Sequence, residues 1–153
     1  MAMDIGGSMW PFRELVDTLF SAAHRVRHFK RFEHVYFHNC VYGHVYETER
    51  FDTPIKVRDL LHETGPHYKL IMVGDALMAP YELLAAGGSL DLGDDRGIEG
   101  LQWLMMLSQH YHRSIWLNPE PQQRWDYTPS IQIMRELMEE RMYPLTVSGL
   151  EEG

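Results

Sequence analysis

The apolar residues of this chain follow two alternating periods, one typical of helices and one typical of strands. Over residues 11–29 they fall on one helical face, and the proline that opens this segment suits a first helical turn. Residues 33–40 and 41–46 are rich in β-branched and aromatic side chains. Only a tight connection around residues 39–43 can separate these two segments, so the pattern predicts an antiparallel hairpin.

The rest of the chain contains one strongly apolar segment and several shorter elements. Residues 68–73 form a near-continuous apolar run, as expected for a strand of a parallel sheet that helices cover on both faces. We also predict helices at residues 55–63, 79–86, 98–111 and 129–140, a polar glycine-rich loop at 87–97, and strands at 114–117 and 142–147. The helix at 55–63 takes Asp52 or Thr53 as its cap, with Pro54 in its first turn.

This order of elements predicts an α/β fold. We expect a doubly wound open sheet that is mostly parallel, with one antiparallel hairpin strand at an edge and helices on both faces. Pro144 indicates that the last strand also lies at an edge. The first strand should precede Asp4, yet only residues 1–3 stand there. We therefore expect a truncated first strand in a single domain, residues 1–153, that forms the C-terminal part of a longer protein.

Composition narrows the range of functions. The chain has 153 residues with a formal net charge of −8, which argues against a nucleic-acid-binding surface because such a surface needs a basic face. Its one cysteine, Cys40, excludes a disulfide framework. No apolar stretch approaches the roughly 18–20 residues that span a bilayer, and no secretory signal is visible at the start. We expect a cytoplasmic protein that binds neither nucleic acid nor membrane.

Two acidic residues stand directly after predicted strands. Asp4 opens the segment D-I-G-G-S-M, and Asp75 ends L-I-M-V-G-D. In a doubly wound sheet, ligands bind at the carboxyl ends of the strands where the strand order reverses. Gly6 and Gly7 let the backbone turn tightly, and Ser8 adds a hydroxyl. Carboxylates and hydroxyls together form a hard-oxygen site that suits Mg²⁺ or Mn²⁺.

These segments resemble the metal-ion-dependent adhesion site of von Willebrand factor A (VWA) domains. That motif is Asp-x-Ser-x-Ser, followed by a separate Thr and a separate Asp. Asp4 and Ser8 match its first part and Asp75 matches its last residue, whereas Gly6 replaces the first serine, so one hydroxyl ligand is missing. The Gly-Gly-Ser form resembles the bacterial CoxE-like branch. That resemblance implies a partner protein that presents an acidic residue, such as a MoxR-type AAA+ ATPase.

The threonine of the motif has three candidates in this chain. The resemblance places it in the loop before the helix that leads into the strand ending at Asp75. Thr53 lies there, just ahead of residues 55–63, and Thr48 and Thr64 are its alternatives. Thr53 is equally suited to be a helix cap.

Two functions are compatible with this acidic crevice. In the first, Mg²⁺ held by Asp4, Ser8, Asp75 and Thr53 bridges to an acidic side chain of a partner, and no substrate is turned over. In the second, the crevice serves a small Mg²⁺-dependent hydrolase or phosphotransferase. The sequence has no P-loop and no nucleophile elbow, which favours the binding module. In an alternative interpretation, Asp4 and Ser8 have only a structural role, in which they cap a turn and a helix.

Overall fold

A computed structural model describes residues 1–25, 30–86 and 97–153 of the chain. Its strands are β1 (Ala2–Asp4), β2 (Val35–Phe37), β3 (His44–Tyr46), β4 (Pro54–Lys56), β5 (Lys69–Val73), β6 (Arg113–Asn118) and β7 (Met142–Pro144). Its α-helices are α1 (Arg13–Arg25), α2 (Val57–Glu63), α3 (Pro80–Leu84), α4 (Gly100–His110), α5 (Gln122–Trp125), α6 (Pro129–Leu137) and α7 (Val147–Glu152). A 3₁₀ helix, Gly7–Phe12, precedes α1.

The seven strands form one mixed sheet in the order β4-β3-β2-β1-β5-β6-β7. The chain begins at the central strand, winds outward through β2, β3 and β4, and then returns to place β5, β6 and β7 on the other side. β1 pairs in parallel with both β2 and β5, whereas β3 is antiparallel to both of its neighbours. The α/β prediction and the predicted hairpin are therefore confirmed, and β7 lies at an edge as Pro144 indicated.

The two faces of the sheet have separate apolar cores. One core packs α2, α4 and α6 against one face and contains the fully buried rings of Trp103 and Trp116. The other core packs the 3₁₀ helix, α1 and α7 against the opposite face through Met9, Val16 and Leu19 among others. Because both faces are covered, β1 is buried along all three of its residues.

The structure corrects the predicted helix at residues 55–63. Pro54–Lys56 is the edge strand β4, which pairs with β3, and the helix α2 begins only at Val57. Lys56 is its cap residue, so neither Asp52 nor Thr53 caps it. The antiparallel hairpin strand therefore has a further strand outside it. Proline is tolerated in an edge strand, so Pro54 was compatible with both elements.

The last predicted strand is also shorter than expected. β7 ends at Pro144, and Thr146 begins a new helix, α7, by accepting a hydrogen bond from the N–H of Gly149 at 3.0 Å. A threonine hydroxyl at this position satisfies one of the unpaired N–H groups of a helix start. The end of the predicted helix 11–29 and nearly all of the loop at 87–97 lie outside the described residues. Within the part that is described, no helix is both long and apolar enough to cross a membrane.

Candidate metal centre

The carboxyl ends of β1 and β5 bring Asp4 and Asp75 to the same place. Met3 pairs with Val73 in the parallel register, so Asp4 lies level with Gly74, the residue before Asp75. A Cβ atom added to Gly74 would lie 3.0 Å from the Asp4 Cβ and 3.4 Å from its Oδ2. Glycine at position 74 therefore lets the Asp4 side chain pack against the end of β5. The predicted convergence of the two carboxylates follows from this register.

The Asp4 carboxylate is buried and held by the backbone. Its Oδ1 accepts hydrogen bonds from the N–H groups of Gly6, at 2.7 Å, and Asn39, at 2.9 Å. Burial raises the pKa of Asp4 from 3.8 to about 7, although these two hydrogen bonds lower it. The charges of Asp75 and Glu82 raise it further. Without a cation, the ionised form of Asp4 is therefore disfavoured below about pH 7.

Asp75 has one oxygen with a partner and one without. Its Oδ1 accepts a hydrogen bond from the N–H of Leu77 at 2.9 Å, and its backbone carbonyl accepts one from Asn118 Nδ2 at 2.9 Å. Its Oδ2 is buried and has no hydrogen-bond partner. The next residue, Ala76, has a φ of 56°, a strained conformation of the kind found at functional sites. An unpaired buried carboxylate oxygen is costly, and a cation would satisfy it.

The loop after β1 forms the solvent side of the crevice. Gly6 is buried, whereas Gly7 and Ser8 are exposed in the 3₁₀ helix. A cavity of about 200 Å³ opens beside this loop, and its lining includes Asp4, Gly6 and the exposed ring of Trp10. The two predicted carboxylates are therefore buried, and the predicted hydroxyl lies at the surface on the same loop. Asp4 also caps the turn by accepting the N–H of Gly6, as the structural interpretation predicted.

Thr53 directly precedes the edge strand β4, whereas Asp4 ends the central strand β1. Met3 pairs with Tyr36, Tyr36 with Tyr46, and Tyr46 with Pro54. Thr53 is therefore three strands away from β1. Because β4 runs in the same direction as β1, Thr53 also lies nearer than Met3 to the amino-terminal ends of these strands. The structure does not bring Thr53 to the crevice, because residues 54–56 form an edge strand and not the first turn of a helix.

The two alternative threonines are also away from the crevice. Thr48 is exposed beyond the end of β3, and its hydroxyl donates to Asp52. Thr64 is buried ahead of β5, where its hydroxyl donates to the carbonyl of Leu60 at 2.6 Å and contacts the hydroxyl of Tyr111 at 2.6 Å. None of the three candidate threonines lies at the carboxyl ends of β1 and β5.

Two residues that the sequence analysis did not select complete the crevice. Asn39, in the β2–β3 connection, has a φ of 56° and donates its N–H to Asp4. Glu82, in the first turn of α3, is 5% exposed, and its Oε2 accepts the N–H of Ala79 at 2.7 Å. The sequence carried a signal for Asn39, since asparagine favours left-handed turns, and only the glutamate half of a capping box for Glu82, since Ala79 has no side-chain oxygen.

The oxygen atoms of the crevice are compatible with a hard cation that takes few of its ligands from the protein. No group of three or more His, Cys, Asp or Glu side chains in residues 1–25, 30–86 and 97–153 is arranged to hold a metal ion. Mg²⁺ needs only one or two carboxylates, because it keeps several of its waters. Asp4 and the unpaired oxygen of Asp75 supply that number of carboxylates, whereas the Ser8 side chain is exposed on the adjoining loop.

The fold and the site define an α/β protein with a mixed seven-stranded sheet and a buried acidic crevice at the carboxyl ends of its central strands. Comparison with known proteins adds no relative, because no family model, no curated protein and no solved structure matches this chain.

Proposed function

We propose that the protein is a metal-dependent protein-binding module of VWA type, in which Mg²⁺ or Mn²⁺ is held by Asp4, Ser8 and Asp75. The observation that carries the proposal is the buried Asp75 Oδ2, which has no hydrogen-bond partner beside a second buried carboxylate. Burying two carboxylates together is unfavourable unless a cation balances them. Thr53 is not part of the proposed ligand set.

The partner supplies an acidic side chain to the remaining coordination position of the metal. The chain carries a net charge of −8, so an acidic partner would be repelled in the absence of the cation. The cavity beside the loop, with Trp10 on its rim, offers an apolar contact next to the metal. Partner binding should therefore require the divalent ion and be lost when EDTA is added.

A pull-down with and without Mg²⁺ tests this function. The resemblance to the CoxE-like branch makes a MoxR-type AAA+ ATPase the first partner to test. We expect that it is retained in millimolar Mg²⁺, released by EDTA, and not retained by an Asp75→Asn variant. Equal retention in Mg²⁺ and in EDTA would contradict a bridging metal. A phosphatase assay under the same conditions distinguishes the hydrolase alternative, for which we expect no metal-dependent turnover.

Two hydroxyl variants test the proposed ligand set. Ser8→Ala should reduce the rise in melting temperature that Mg²⁺ causes, because it removes a neutral oxygen ligand and leaves both carboxylates. Thr53→Ala should leave that rise unchanged, since Thr53 directly precedes the edge strand β4, three strands away from Asp4. The measurement is thermal unfolding with Mg²⁺ and with EDTA. A loss of the metal response in Thr53→Ala alone would contradict the proposed set.

A further inference from the structure

The absence of a side chain at Gly6 leaves room for the Asn39 amide, whereas the backbone conformation of Gly6 does not call for glycine. Gly6 has φ −58° and ψ 164°, values that any residue can adopt. A Cβ atom at this position would collide with the Oδ1 of Asn39, and it would lie 3.1 Å from the Oδ1 of Asp4. The amide oxygen of Asn39 therefore occupies the space that a serine side chain would need at position 6.

A hydrogen bond to Glu82 sets the orientation of the Asn39 side-chain amide. Its Nδ2 donates to the Oε1 of Glu82 at 3.4 Å, so its Oδ1 points to the other side, towards Gly6. The reversed amide would direct one oxygen at another, which is unfavourable. The backbone of Asn39 is also tied to the crevice, because its N–H donates to Asp4 at 2.9 Å.

We propose that the Oδ1 of Asn39 replaces the hydroxyl ligand that is missing at Gly6, so that Asn39 is a ligand of the metal held by Asp4 and Asp75. This inference rests on the proposed function. An amide oxygen is a neutral, hard ligand like a hydroxyl, so the exchange leaves the charge of the site unchanged. Glu82 acts as a positioning residue, because its carboxylate holds the amide nitrogen away from the metal.

Asn39→Gly is the decisive variant. It removes the amide oxygen, keeps the backbone N–H that binds Asp4, and introduces the residue best suited to a φ of 56°, so the loop should keep its conformation. We expect its dissociation constant for Mn²⁺, measured by isothermal titration calorimetry, to rise by at least about tenfold, as for other residues that support a metal site. Glu139→Gly, at another residue with positive φ, is the matched control and should bind Mn²⁺ like the wild type.

A second substitution tests whether Asn39 acts as a ligand or only as a support for the loop. The double variant Gly6→Ser with Asn39→Gly places a hydroxyl in the space that the amide vacates, and it should regain most of the lost Mn²⁺ affinity. Gly6→Ser alone should weaken binding, because Asn39 occupies that space.

The outcomes separate this inference from the proposed function. If the wild type binds Mn²⁺ and Asn39→Gly binds it equally well, Asn39 is not a ligand and the metal-dependent function stands. If Asn39→Gly binds Mn²⁺ weakly and the double variant with Gly6→Ser binds it no better, the role of Asn39 is structural and the inference is overturned. If the wild type itself binds no Mn²⁺ or Mg²⁺, both the inference and the metal-dependent function are overturned.

Discussion

An Asp4→Asn variant should be more stable than the wild type in metal-free buffer above pH 7. The folded pKa of Asp4, about 7, lies above its ordinary value of 3.8. Between these two values the folded state retains a proton that the unfolded state has lost, so the stability of the wild type falls as the pH rises through this window and stays low above it. The gap between these two pKa values corresponds to a decrease in the free energy of unfolding on the order of 4 kcal/mol.

Asparagine preserves the geometry of this site while removing its charge. Its Oδ1 can still accept the hydrogen bonds from Gly6 and Asn39. The measurement is the free energy of unfolding by urea in EDTA between pH 4 and 8, for both proteins. The difference between them should grow with pH up to about 7. Asp59→Asn, which removes an exposed carboxylate, is the matched control for the loss of one negative charge. A constant difference between Asp4→Asn and the wild type would contradict the prediction.

Divalent metal should stabilise the wild type by a large amount, and Asp75→Asn should abolish that effect. A ligand at a hundred times its dissociation constant stabilises the folded state by about 2.7 kcal/mol, or roughly 5–10 °C in melting temperature for a domain of this size. Asparagine at position 75 can still accept the N–H of Leu77. It loses the negative charge and the unpaired oxygen that the metal needs.

The control for this experiment is another buried carboxylate, one that is already paired with an arginine. Glu120 is 9% exposed and forms an ion pair with Arg124 at 3.2 Å. Glu120→Gln should keep the full rise in melting temperature with Mg²⁺ or Mn²⁺, although it lowers stability under all conditions. If Asp75→Asn keeps the same rise as Glu120→Gln, the metal does not bind through Asp75. If the wild type shows no rise, the crevice holds no metal.

The local pattern of the sequence was sufficient for the central part of the sheet. The continuous apolar run before Asp75 predicted a buried parallel strand, and the β-branched segments on either side of residues 39–43 predicted the hairpin. Both predictions depend only on side-chain periodicity over a few residues. The convergence of Asp4 and Asp75 then followed from a general rule for ligand sites in doubly wound sheets, and the register of β1 with β5 agrees with it.

The edge of the sheet and the completion of the crevice were decided by tertiary structure. Pro54 suits a helix start and an edge strand equally well, and only pairing with β3 selects the strand that carries Thr53 away from Asp4. Asn39 donates to Asp4, 35 residues away in sequence, and Glu82 accepts from Asn39, 43 residues away. Contacts at such separations depend on how the elements pack, which no local period encodes. The sequence by itself thus determined that the two carboxylates follow neighbouring strands, and the packing of loops determined which other polar side chains lie beside them.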